Sequence, residues 1–174
     1  MNDPSMTRYG QINARAPGQL QVFSFLIGKW DGKGSTRLPD GTVAEFPVTW
    51  IGRYILDGMA IADEMHASAP DGSPYLGISL RHYDAARGSW IIEYLNVSGS
   101  FLRRQVNADH GSVELQGRNV TVASESPGMQ IREHYLVPDE GQFTYRLDVS
   151  SDGGNHWTEG QIEMIFRRLQ APGE

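Results

Sequence analysis

Cysteine is absent from the 174-residue chain, which excludes disulfide frameworks, thiolate zinc sites, iron–sulfur clusters and cysteine nucleophiles at once. Excess positive charge is missing as well: 15 Lys and Arg stand against 21 Asp and Glu, a formal charge of −6. Such a chain does not attract a phosphate backbone, so no nucleic-acid partner is expected. No stretch approaches the ~20 apolar residues of a membrane helix, and no membrane partner is expected either. Residues 1–17 carry Asp3, Arg8 and Arg15 with no apolar run behind them, unlike a secretory signal, and the expected compartment is the cytoplasm. In that compartment the sequons at Asn96 and Asn119 carry no glycan.

What the chain does have is punctuation. Its 20 glycines and 9 prolines are dispersed rather than gathered into a linker. Pro39-Asp40-Gly41, Pro70-Asp71-Gly72 and Ser126-Pro127-Gly128 each supply a fixed φ followed by a residue that tolerates a positive one. Asp57-Gly58, Ala86-Arg87-Gly88, Asp109-His110-Gly111, Asp139-Glu140-Gly141 and Asp152-Gly153-Gly154 mark further reversals. Between them lie runs of about 6 to 14 residues rich in β-branched and aromatic side chains, many alternating apolar with polar as half-buried strands do. Phe46, Val48, Trp50, Tyr54 and Leu56 share one register, with Gly52 in it; Phe143, Tyr145, Leu147 and Val149 share another; Ile162, Met164 and Phe166 a third. Gly52 and Gly77 fall inside strand patterns, where a bulge or barrel corner is expected.

One segment has helical spacing. Leu20, Phe23, Leu26 and Ile27 follow Pro17-Gly18 on one face, and Gly28 ends the run. One helix followed by roughly ten short strands cannot build a parallel α/β sheet. The uninterrupted tight turns predict an all-β fold: an antiparallel up-and-down β-barrel of about ten strands, capped by a short helix near residues 18–27. A flexible segment over 1–17 and a single barrel domain over 18–170 complete the expected organisation.

Directly after the helix stands Gly28-Lys29-Trp30-Asp31-Gly32-Lys33-Gly34-Ser35. A short helix running into Gly-x-Trp on the first strand resembles the lipocalin and wider calycin signature. The longer Gly-x-Trp-x-Gly-x-Gly form is similar to that of intracellular calycin relatives, which include nitrobindin-like proteins and an uncharacterised bacterial lipocalin-like family. The Tyr83-Asp84 turn followed by a strand over Trp90–Asn96 resembles the bacterial group most. The resemblance implies that a basic residue of the final strand, Arg167 or Arg168, packs over Trp30. Through the nitrobindin-like relatives it also implies a haem held by a barrel histidine, for which His156 is the nearest match. Apart from that haem, no cofactor is expected.

A small barrel is either filled or holds one small ligand, so the polar residues that share a face with apolar ones are the candidates. Asp63 alternates with Met59, Ile61 and Met65; Glu133 alternates with Met129, Ile131, Tyr135 and Val137. Arg103 follows Phe101 in register, His82 follows Leu76, Ile78 and Leu80, and Tyr94 and Asn96 share a face with Trp90 and Ile92. A carboxylate facing a dry interior costs several kcal/mol unless paired, so Asp63 and Glu133 need partners, with Arg103 or His82 available. The expected site is an aromatic-lined cavity around Asp63, Arg103 and Glu133, with Trp50, Tyr54, His82, Tyr94, Asn96, Tyr135 and Tyr145 as ligand-binding residues. The five histidines form neither an i, i+4 helical pair nor an alternating strand pair, so no metal site is expected.

The expected function is binding of a small, largely apolar molecule, aromatic or acyl. The alternative is a cofactor-independent lyase or isomerase in which Asp63, Glu133 and Arg103 move protons. A protein-interaction module would instead have a filled interior and an exposed apolar patch. Barrels of this type often dimerise, and a homodimer is a further expectation.

Overall fold

The computed structural model describes residues 10–69, 71–96, 101–107, 112–126 and 128–169, with the backbone alone over 101–107 and at 126. Eleven strands follow an N-terminal 3-10 helix, Gly18–Leu26. They are β1 (Gly28–Arg37), β2 (Val43–Ile55), β3 (Ala60–Ser68), β4 (Pro74–Asp84), β5 (Ser89–Asn96), β6 (Phe101–Asn107), β7 (Ser112–Gln116), β8 (Asn119–Ser126), β9 (Met129–Asp139), β10 (Gln142–Ser150) and β11 (Thr158–Arg168). All belong to one antiparallel sheet in the order β6-β5-β4-β3-β2-β1-β11-β10-β9-β8-β7. Every strand except β6 and β7 pairs with its chain neighbours, and the last strand returns beside the first, Trp30 opposite Arg168. The edge strand β6 lies against β8, so the sheet curls into a nearly closed up-and-down barrel, as the turn spacing predicts. No helix among the described residues is long and apolar enough to cross a membrane.

The capping segment differs from the α-helix that its spacing suggests. Leu20, Phe23 and Leu26 are fully buried and recur every three residues, the period at which 3-10 side chains eclipse. Ile27 leaves the helix in an extended conformation and bridges to Gly52 in parallel. That bridge explains the glycine, because a β-carbon at residue 52 would drive into the backbone of Leu26. Gly77 is likewise a site of close approach, since the Tyr94 ring occupies the space a side chain there would need. Neither is a bulge: the ladders run unbroken through both, and the extra residues lie on β9, opposite Gln142 to Thr144, and on β11, opposite Leu147 to Val149.

The base of the barrel is packed with aromatics. Phe143 meets Trp30 edge to face at 4.9 Å and stacks on Phe166 at 4.6 Å, while Phe23 meets Trp90 at 4.9 Å; such pairs add to the burial of their area. The Trp30 indole donates to the Leu26 carbonyl at 3.0 Å. Arg168 is the basic residue that covers it, its guanidinium 4.1 Å from the ring centre. The same group donates to the carbonyls of Ile27 at 2.7 Å and Glu140 at 2.8 Å, tying the helix exit to the β9–β10 turn. Residues of the segment before the helix also contact the barrel. Gly10 bridges to Tyr54, and Asn13 donates from its amide side chain to both the carbonyl and the carboxylate of Asp57.

Replacing Gly52 with Ala should therefore lower the melting temperature by several degrees, because an over-packed site costs about 1–3 kcal/mol, each worth roughly 2–4 °C at this chain length. Gly18→Ala, where a β-carbon meets nothing within 4 Å, is the control and should melt with the parent in the same thermal scan.

Candidate functional site

Above the aromatic base, the middle of the barrel is polar. Asp63 on β3 and Arg81 on β4 are 2% and 1% exposed. They pair through Arg81 Nε to Asp63 Oδ2 at 2.6 Å, with Nη2 to Oδ1 at 3.3 Å. Nη2 also donates to the Tyr135 hydroxyl at 3.1 Å, and the guanidinium lies 4.7 Å from the ring centre of Phe23. Burial opposes the charge on Arg81, but Asp63, helped by Tyr135 and Glu133, more than offsets it and keeps the guanidinium protonated well beyond its ordinary range. Burial above all raises the Tyr135 phenol, with Arg81 acting in the opposite sense.

One step further from the base, Tyr145 on β10 donates to Glu133 Oε1 at 3.1 Å. Glu133 Oε2 has no hydrogen-bond partner, nor has the indole nitrogen of Trp50, although these residues are only 7% and 4% exposed. Both border a cavity of about 180 Å³, which Asp63, Ser79, Tyr94, Asn96, Met65 and Met164 help to line. It meets a second chamber of about 190 Å³, reached past Met65, Tyr75, Ile162 and Met164 and walled further out by Phe46 and Ala67. This outer chamber lies at the end of the barrel opposite the helix.

Trp50, Tyr94, Asn96, Tyr145, Asp63 and Glu133 thus converge on one cavity. Tyr135 is wholly buried behind it against Arg81. Tyr54 is buried near Gly10 and away from the cavity, and burial raises its phenol. His82 is on the outside, exposed, with Nδ1 3.4 Å from the Met59 carbonyl. Its assignment to the interior is corrected because β4 turns its apolar residues outward: Leu76 and Leu80 are exposed, whereas Gly77, Ser79 and Arg81 are buried. Among the described residues the partner of Asp63 is accordingly Arg81, not His82. Arg103 is paired with Tyr94 in the β5–β6 ladder; its side chain lies outside the described residues.

Arg81 was detectable from the turn. Counting the hairpin register outward from Pro70-Asp71-Gly72, with Ser68 opposite Pro74, puts Ser79 opposite Asp63 and Arg81 opposite Ile61. That places the arginine on the same face as the carboxylate and one diagonal away.

Among the described residues no histidine lines the cavity. His156 sits in the β10–β11 turn, exposed, and contacts Asp152 through Nδ1 at 2.6 Å. These residues do not fit a haem. Among the described residues no group of three or more His, Asp or Glu side chains could hold a metal ion.

A barrel of this topology, plugged at one end by a helix and hollow at the other, is a lipocalin-like β-barrel. The model of the family described as "Protein of unknown function (DUF1579)" matches residues 18–168, and the chain belongs to that family. Among solved structures, Rv2717c from M. tuberculosis is similar over 89% of this chain and 99% of its own, with a TM-score of 0.63 and 16% identity. The S-type phycobiliprotein lyase CPES from Guillardia theta is similar over 87% of this chain and 92% of its own, with a TM-score of 0.59 and 11% identity. At such identities the likeness is one of fold. The search of curated proteins gives no match.

Two outcomes follow for the buried polar layer. Asp63→Asn should cost about 3–5 kcal/mol in urea unfolding, because it leaves Arg81 charged and unpaired, and Asp63→Leu combined with Arg81→Met should recover most of that loss. In an absorbance titration at alkaline pH, Tyr135 should remain a phenol beyond the pH at which a free tyrosine ionises. Its folded pKa is raised above the unfolded value of about 10, so its contribution to stability is intact below pH ~10 and is lost as the pH rises further. Tyr135→Phe should remove that last ionisation.

Proposed function

We propose that the barrel binds a small, largely apolar molecule, aromatic or acyl, within this cavity. The carrying observation is the pair of adjoining chambers in a protein whose base is otherwise densely packed. Together they fall in the lower part of the ~300–1,000 Å³ usual for ligand pockets. Their walls are aromatic, methionine and aliphatic side chains with a few polar groups at the inner end, the composition that captures an apolar body and orients it. The phycobiliprotein lyase on the same fold is in keeping with a barrel that handles a small organic molecule.

One observation favours a second reading, a cofactor-independent lyase or isomerase: Glu133, whose buried Oε2 has no hydrogen-bond partner, is among the residues that line the cavity, and a carboxylate there is a candidate to take a proton from a bound substrate. In that case Glu133→Gln would lower turnover by orders of magnitude while binding persists.

The binding reading is checked by native mass spectrometry of the protein as purified, then by titration with Nile red, a neutral apolar fluorogen. Ala67→Phe, which fills the outer chamber, should weaken Nile red binding by about tenfold or more with the melting temperature unchanged. Equal affinity in parent and variant would remove the cavity from consideration.

A further inference from the structure

Resting on the proposed binding function, we infer that the barrel measures its ligand by length. It takes a slender molecule of about 12–14 non-hydrogen atoms, one ring with a short chain or a medium-length chain, and gains nothing from a longer one. Volume carries this. An apolar cavity of about 150 Å³ takes up one benzene ring. The inner and outer chambers hold about 180 and 190 Å³, so each has room for roughly six or seven non-hydrogen atoms. A haem or a long acyl chain exceeds the two together.

The limit holds because the inner end does not yield. Asp63 borders the inner chamber, and its carboxylate is locked to Arg81, which also donates to the Tyr135 hydroxyl. All three residues are buried, and behind them lies the packed aromatic base, reached by the guanidinium at Phe23. A longer ligand could go deeper only by parting a buried ion pair. That costs far more than burying one further methylene gains.

The two chambers share four wall residues, Met65, Tyr75, Ile162 and Met164, which form the neck between them. Tyr75 is its fixed part: its hydroxyl is hydrogen-bonded to that of Tyr94, whose ring fills the space that a side chain at Gly77 would need. The methionines are its adjustable part, since their unbranched chains conform to what passes. A molecule that spans both chambers is therefore narrow at its middle. Excess length leaves by the mouth, past Phe46 and Ala67, where it buries no further surface.

Titration of the full chain with 4-alkylphenols from ethyl to decyl tests this, because only chain length changes along the series. Binding is followed by tryptophan fluorescence, since Trp50 walls the inner chamber. Affinity should climb about fourfold per methylene as far as about pentyl to heptyl and then level off. Ala67→Phe, which fills the outer chamber, should bring the level-off down to about ethyl or propyl. Phe46→Ala, which widens that chamber, should carry the rise to longer chains, and each variant tests the limit if the other does not fold. A rise undiminished to decyl, a level-off that neither variant moves, or an affinity indifferent to chain length overturns the inference while leaving the binding function in place. Binding of none of the series, with Nile red also unbound, overturns both.

Discussion

The buried pair of Asp63 and Arg81 is the constraint around which the barrel interior is arranged. An ionised carboxylate and a guanidinium this deep are tolerable only together and with most of their valences engaged, and the structure meets that demand from three sides, leaving Arg81 Nη1 alone without a partner among the described residues. Asp63 takes two hydrogen bonds from Arg81, the Tyr135 hydroxyl accepts a third, and the face of Phe23 receives the guanidinium. The pair therefore joins β3, β4 and β9 to the capping helix at one level. Below that level aromatic and aliphatic packing dominates; above it the side chains leave space. The division between plug and cavity falls at the ion pair.

The plug depends on a different kind of fit. Leu20, Phe23 and Leu26 insert on a three-residue period, and Gly52 yields the space in which the helix exit crosses β2. Arg168 then covers Trp30 and ties down two loops by their carbonyls. A cation over an indole at an exposed site such as this contributes about 0.5–1 kcal/mol; its larger effect is positional, since it fixes the helix exit against the β9–β10 turn. A rigid base under a hollow upper half is what a binding barrel requires, because the polar wall groups must not shift when the occupant changes.

Much of this was legible in the sequence, and the parts that were not have physical reasons. Tight turns at regular spacing specify a meander of strands, and Gly-x-Trp after an apolar run marks where the first strand leaves the cap. Alternation placed Trp50, Asp63, Tyr94, Asn96, Glu133 and Tyr145 on inward faces, and these line the cavity. It failed on β4, where hydrophobicity and inwardness part company: the leucines point out and Ser79 and Arg81 point in. A pattern rule assumes a greasy interior, and a cavity wall violates it. The helix type was missed because Leu20, Phe23 and Leu26 satisfy periods of 3.0 and 3.6 almost equally over nine residues. The bulges were sought at Gly52 and Gly77, yet they lie on β9 and β11, the latter around Gly160. Opposite it Asp148 is buried, and the Gly160 amide, His134 and Arg146 satisfy its carboxylate.

The position of the β1–β11 ladder bears on how the molecule is made. Strands β2 to β6 and β8 to β10 can each assemble from neighbouring chain, one hairpin after another, at little loop-closure cost. The ladder in the middle of the sheet joins residues as far apart as Trp30 and Arg168. It is the pairing of greatest sequence separation, and such pairings are slow to form. During synthesis β1 waits with one edge unpaired, and Trp30 waits for its cation, until the last strand has left the ribosome. The barrel closes late, and its two halves spend that interval as open sheets whose apolar faces have no partner except each other.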